Sequence, residues 1–99
     1  MSLENELFQI TKEEEERIIG NAFSSLQPPI LKHIPARQKR KYVVLKVIAA
    51  EFQPGQQYTE SQVNGILGNI HEDYGSIRRY LIDYRLLKRT TDGSRYWRE

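Results

Sequence analysis

The sequence predicts a mostly α-helical domain finished by a small β-hairpin, and three observations carry that reading. Four stretches between Thr11 and Arg85 place apolar residues at helical spacing. The period then shortens to that of a strand over residues 87–98. Asp92-Gly93 stands in the middle of that last stretch, where a hairpin turn belongs.

The first helix opens at Thr11-Lys12-Glu13-Glu14, a capping box in which the Thr11 hydroxyl caps the helix and Glu14 reaches back. Acidic residues crowd its first turn, where the helix dipole favours them. Ile18, Ile19, Ala22 and Phe23 form an apolar stripe, and the helix fades by Ser24-Ser25. Gln27-Pro28-Pro29 reads as a stiff linker, because two prolines cannot continue a helix. Pro35 suits the first turn of a second helix running from Ala36 to Phe52. Tyr42, Leu45, Ile48, Ala49 and Phe52 share one side of it, with Lys39, Arg40, Lys46 and Glu51 mostly elsewhere. The β-branched Val43, Val44, Val47 and Ile48 pull toward strand, but the length of the run and its lack of strict alternation decide for helix. Pro54-Gly55 stops it.

A third helix opens at Tyr58 to Gln62, with Thr59 and Gln62 as a second capping box and Val63, Ile66, Leu67 and Ile70 as its apolar face. Gly65 and Gly68 each weaken it by about 1 kcal/mol relative to Ala. They read as points of close packing against a neighbour, not as a phosphate loop: no strand precedes them and the P-loop spacing is absent. Asp73 caps a fourth helix reaching about Arg85, with Tyr74, Ile77, Leu81 and Tyr84 inward and Ser76, Arg79, Tyr80 and Asp83 largely outward. Leu87 to Thr91 and Ser94 to Arg98 then flank Asp92-Gly93, a two-residue turn in which both positions take positive φ. Tyr96 and Trp97 alternate, so one ring packs on the core and the other lies near the surface.

Helix, helix, helix, hairpin is the element order of a winged helix-turn-helix, here preceded by an N-terminal helix. Residues 1–29 are assigned to vector residues (Met1-Ser2-Leu3), the acidic helix and a Pro-containing linker, and residues 30–99 to the winged-helix domain. The short connection Asn69 to Asp73 fits a helix-turn-helix corner. The helix at about 73–86 becomes the recognition helix and residues 88–98 the wing.

A chain of 99 residues has room for one domain. The absence of cysteine excludes disulfides and thiolate metal sites. No apolar run is long enough to span a bilayer and no signal peptide opens the chain, so a cytoplasmic protein is expected. Charge is unevenly spread. Residues 1–31 hold six glutamates against Lys12 and Arg17, whereas the rest holds thirteen Lys or Arg against seven acids. An acidic leader before a basic domain suggests an anionic partner for the second part, or serves solubility alone; charge by itself does not choose between them.

The candidate contacts follow from that. Ser76, Arg78, Arg79, Tyr80 and Asp83 lie on the fourth helix, where they would meet base edges or phosphates. Against this stands simple ion pairing, Arg78 with Asp73 and Arg79 with Asp83. Lys39 and Arg40 at the start of the second helix, with Arg89 and Arg95 on the hairpin, would hold backbone phosphates. The six ring residues Tyr42, Phe52, Tyr58, Tyr74, Tyr80 and Tyr84 are assigned mostly to packing. His33 and His71 lack converging partners, so no metal, cofactor or catalytic arrangement is expected and the chain is read as a binding protein.

Several blocks also resemble a known family, the domain of unknown function 2087. They are Ile34-Pro35-Ala36-Arg37-Gln38-Lys39-Arg40-Lys41, then Tyr58-Thr59-Glu60 with Val63-Asn64 and Leu67, then Asp73, Arg78-Arg79, Leu81, Asp83, Leu87, Arg89, Gly93 and Tyr96-Trp97. That family is similar to winged-helix regulators, and its members are often fused behind a bacterial helix-turn-helix of the arsenic-repressor type. The resemblance implies a prokaryotic, transcription-associated protein; duplex DNA as partner is expected from the element order and the basic charge of residues 32–99. The first 30 residues leave no room for a second helix-turn-helix of the fused kind. The alternative expectation is a protein-interaction or homodimerisation module working through the apolar stripe of the first helix.

Overall fold

The structure is a computed structural model that describes residues 9–99; the reading of Met1-Ser2-Leu3 as vector residues lies outside them. Four helices and two small antiparallel sheets make a mixed α/β architecture among the described residues. In chain order these are α1 (Lys12–Ala22), β1 (Phe23–Leu26), β2 (Pro29–Leu31), α2 (Gln38–Ala49), β3 (Gln57–Tyr58), α3 (Glu60–Gly68), α4 (Tyr74–Asp83), β4 (Lys88–Arg89) and β5 (Tyr96–Trp97). No helix among them is long and apolar enough to cross a membrane.

Thr11 caps α1 as expected, its hydroxyl accepting from the Glu14 N–H at 3.1 Å. The next segment departs from the sequence expectation. In place of a fading helix and a stiff linker there is a β-hairpin: β1 pairs with β2, Ser25 opposite Ile30 and Leu26 opposite Pro29. A cis Gln27–Pro28 peptide lies in its turn, and the Ser25 hydroxyl donates to the Pro28 carbonyl at 2.7 Å. Prolines exclude helix here, but they do not exclude a tight turn. The hairpin is tied to the body by Leu31 N–H to the Ile70 carbonyl (2.9 Å) and Lys32 N–H to the Ala22 carbonyl (2.8 Å). Ala22 and Phe23 are buried, with Ile18 and Ile19 packed on the same core. The apolar stripe that pointed to pairing with a second copy is therefore covered in part by its own chain, Ala22 and Phe23 fully and Ile18 and Ile19 only partly.

α2 is the central element. It is shorter than the expected Ala36–Phe52, and Pro35 precedes it instead of occupying its first turn. Tyr42, Val43, Val44, Leu45, Ile48 and Ala49 are all buried. A helix covered on nearly every side needs apolar residues all round, which explains why β-branched residues run along it without a polar face between them. Gln53-Pro54-Gly55-Gln56 then turns the chain, with Gly55 at φ 81° and the Gln56 N–H donating to the Gln53 carbonyl. Positive φ at the third position of a turn is where glycine is required.

The Thr59–Gln62 capping box is present in full at the start of α3. Val63, Leu67 and Ile70 pack inward with Ile77 and Leu81 of α4. Gly65, expected to admit a close neighbour, has no atom within 4 Å of the place a Cβ would take, so packing does not account for it. Tyr74, expected to be buried, is exposed because α4 begins with it at the rim.

α4 ends in a Schellman motif. Leu86 N–H donates to the Leu81 carbonyl and Arg85 N–H to the Ile82 carbonyl. The residue in the left-handed region is Arg85, φ 61°, where glycine is usual. A non-glycine residue there costs about 1–2 kcal/mol, partly offset by the extra chain entropy glycine would bring to the unfolded state. Arg85→Gly is therefore expected to raise stability by about 0.5–1 kcal/mol in urea unfolding.

The hairpin is present, but its turn differs from the one expected. β4 pairs with β5, Thr90 N–H bonds the Arg95 carbonyl, and Gly93 N–H closes a turn on the Thr90 carbonyl. Gly93 takes φ 74° whereas Asp92 does not adopt positive φ. The connection is thus a longer loop built on a common turn, with glycine only at its exit. Tyr96 is buried and Trp97 half-buried, as the alternation predicts. β5 also pairs with β3, from between α2 and α3, giving the sheet order β3-β5-β4.

Candidate functional site

No polar or charged side chain is buried among the described residues, so all their cations lie at or near the surface. What distinguishes them is whether each is already engaged. On α4, Ile77 and Leu81 anchor the helix. Gly75, Arg79 and Asp83, four apart, fall on the opposite side. Arg79 is exposed, its guanidinium 5.5 Å from the Tyr80 ring. The same ring receives the Lys41 ammonium at 4.1 Å. One half-buried tyrosine thus gathers a cation from α4 and another from α2. Tyr84 stacks on Tyr42 with centroids 6.1 Å apart, and burial, with Tyr80 and Asp83 beside it, pushes its phenol above the ordinary range.

Arg78 behaves differently. Its guanidinium hydrogen-bonds the Asn64 carboxamide oxygen and pairs with Glu60 at 3.4 Å. It staples α4 to α3 and is not free for a ligand. Neither ion pair foreseen within α4, Arg78 with Asp73 or Arg79 with Asp83, forms among the described residues. Ser76 is half-buried, its N–H donating to the capping Asp73 carboxylate at 3.3 Å.

An open groove of about 460 Å³ separates α4 from the hairpin, with Arg78, Arg79 and Ile82 on one wall and Arg89, Asp92 and Tyr96 on the other. Arg89 folds back on its own loop, donating to the Thr90 and Thr91 carbonyls at 3.1 and 3.3 Å. Arg95 stays exposed, its guanidinium donating, among the described residues, only to the adjacent Ser94 carbonyl at 2.8 Å. The loop is organised by Asp92. Its carboxylate accepts from the Ser94 N–H (3.0 Å) and the Thr90 hydroxyl (2.8 Å). These donors, the Ser94 backbone first, then its hydroxyl and that of Thr90, lower its pKa to about 2. A depressed folded-state pKa stabilises the fold above the ordinary value of 3.8 and stops doing so as pH falls through about 2. An NMR titration of the Asp92 side chain is expected to show a midpoint near 2, with loop amides shifting over the same range.

At the start of α2, Lys39 pairs with Glu14 of α1 at 2.8 Å. That contact is the main cause holding the Glu14 carboxyl below its usual pKa. Arg40 is exposed and has no ion pair among the described residues. Arg37 occupies the cap position of α2 without a side-chain hydrogen bond. The expected contacts thus divide. Arg79 and Asp83 share the outer side of α4, whereas Ser76 and Tyr80 are half-buried. Arg40 is exposed without an ion pair among the described residues. Arg89 and Arg95 are exposed with their guanidiniums on carbonyls of their own loop, and Lys39 and Arg78 are engaged with neighbouring elements. Lys41, which the sequence places in the candidate phosphate-holding run Lys39-Arg40-Lys41, joins the site at Tyr80, to which the packing of α2 beside α4 brings it.

Among the described residues no group of three or more His, Cys, Asp or Glu converges as a metal ion would need. His71 accepts the Asp73 N–H at 3.0 Å and works as a turn residue. Residues 30–98 match a family described as "Uncharacterized protein conserved in bacteria (DUF2087)". Neither the curated proteins nor the solved structures provide a match.

Proposed function

We propose that this chain, which belongs to the DUF2087 family, is a winged helix-turn-helix module that binds duplex DNA through α4 and acts in transcription regulation. The observation that carries the reading is the outward side of α4: Arg79 stands unpaired between the hairpin on one flank and Lys41 on the other. The sheet order β3-β5-β4 supports the same reading, since it sets a two-stranded wing beside the second helix of an α3–α4 corner. A helix with its side chains is about 10–12 Å across and fits a major groove about 12 Å wide. Arg79 would address guanine or phosphate, and Asp83 can accept from cytosine N4. Arg40, Lys41 and Arg95 would hold the backbone.

Gly75 adds to this. It weakens α4, and a Cβ added there would meet nothing within 4 Å, so no internal contact asks for a glycine. The missing side chain leaves this point of α4 open to close approach by a duplex. Gly75→Ala is expected to stabilise the fold by about 0.5–1 kcal/mol while weakening duplex binding; a variant stabilised without loss of affinity would detach Gly75 from the interface.

The experiment is fluorescence anisotropy of a labelled mixed-sequence duplex from low to physiological salt. Each neutralised phosphate contributes about −0.9 to the slope of log K against log salt. Four available cations predict a slope of about −3 to −4. Anisotropy that stays flat at low salt refutes the reading.

A further inference from the structure

The chain carries a second cationic concavity that no residue of α4 or the hairpin lines. It is a groove of about 630 Å³ between α1, the loop after β2 and the start of α2. Arg17, Arg37, Lys39 and Arg40 line it, with Glu14 as its one carboxylate. Lys39 already matches Glu14 at 2.8 Å. Arg17, Arg37 and Arg40 have no ion pair among the described residues, and all three are exposed. The four cations share one carboxylate, since Arg17 as well as Lys39 acts on Glu14; the remaining positive charge is relieved by an anion seated between Arg17, Arg37 and Arg40. Forked guanidinium donors suit the oxygens of a phosphate better than a single carboxylate suits three of them. The floor is apolar, formed in part by Ile18, Ala22 and Pro35, and the volume is in the range of small-molecule sites.

We propose that this groove binds a small phosphate ester, its phosphate or diphosphate held by Arg17, Arg37 and Arg40 and its less polar part lying on Ile18, Ala22 and Pro35. Because α1 supplies one wall and α2 another, the ligand would fasten the acidic helix to the basic domain. The site stands whether or not α4 binds duplex.

The test is isothermal titration of the full chain with sodium pyrophosphate in chloride buffer at constant ionic strength. One site per chain is expected, weakened at least tenfold by Arg17→Gln and by Arg37→Gln/Arg40→Gln and unchanged by Arg95→Gln on the hairpin. Circular dichroism melts identify any variant that fails to fold; Arg17→Gln, an exposed change, decides the matter if the double variant does. Absence of binding, or equal weakening by Arg95→Gln, would show only diffuse attraction to a basic surface and overturn the proposal. Duplex titrations separate the two sources of phosphate. An Arg17→Gln chain that keeps its duplex affinity while losing pyrophosphate supports a small ester as occupant. Parallel loss of both would make the groove a backbone contact and overturn it.

Discussion

Phe52→Ala is expected to remove about 3–5 kcal/mol of stability, a large part of the total for a domain of this size. Phe52 is 1% exposed and meets Tyr58 edge-on, ring centroids 5.2 Å apart. Its backbone carbonyl accepts from Arg98 at 3.0 Å, and the Tyr58 hydroxyl accepts the Gln53 N–H at 2.8 Å. The residue therefore sits where the end of α2, strand β3 and the C-terminal strand meet. Truncation leaves a cavity against all three. Each kcal/mol lowers the melting temperature by about 4–8 °C for a domain of this length, so a drop of well over 10 °C is expected by circular dichroism. Phe52→Leu keeps most of the volume and should cost less than half as much. A loss below about 1 kcal/mol for Phe52→Ala would contradict the packing described.

Arg78 and Arg79 are neighbours in sequence with opposite expected phenotypes. Arg78→Ala removes the link to Asn64 and Glu60 and is expected to cost about 1–2 kcal/mol of stability, most of it from the hydrogen bond because the Glu60 pair is partly exposed. Arg79→Ala breaks no ion pair or hydrogen bond among the described residues, only the contact with the Tyr80 ring, and should leave the melt within a few degrees. It should weaken duplex binding by about 1–3 kcal/mol, roughly fivefold to 150-fold. Reversal of the two phenotypes would mean that the functional side of α4 has been assigned to the wrong arginine.

The contrast shows where the sequence is legible. Helical phase alone puts Arg79 outward and Ile77 and Leu81 inward, because three- and four-residue spacing fixes a helix face. It puts Arg78 on the flank between the two sides but cannot say what that arginine meets there. That depends on the angle at which α3 crosses α4, which brings Asn64 and Glu60 to one arginine only. Caps are readable for the same local reason, and Thr11, Thr59 and Asp73 all start helices. The β1–β2 hairpin is not readable, since Ser-Ser and Pro-Pro break a helix without stating what replaces it. Its strands are held partly by Ile70 and Ala22, distant in sequence or in another element. Strand β3 is two residues long and exists through its pairing with β5, a non-local partnership with no periodic signature. Arg85 in a position usual for glycine carries no signal either, because a Schellman motif with arginine looks like ordinary helix.

The central claim is that the outer side of α4, with the basic start of α2 and the hairpin, forms one duplex-binding surface. Amide chemical-shift mapping of the isotope-labelled chain against an unlabelled mixed-sequence duplex tests it most directly. The expected result is perturbation concentrated at Gly75, Arg79 and Asp83, at Arg40 and Lys41, and around Arg95, fading as salt is raised. Perturbation centred on α1 and the β1–β2 hairpin, or none at low salt, would contradict it.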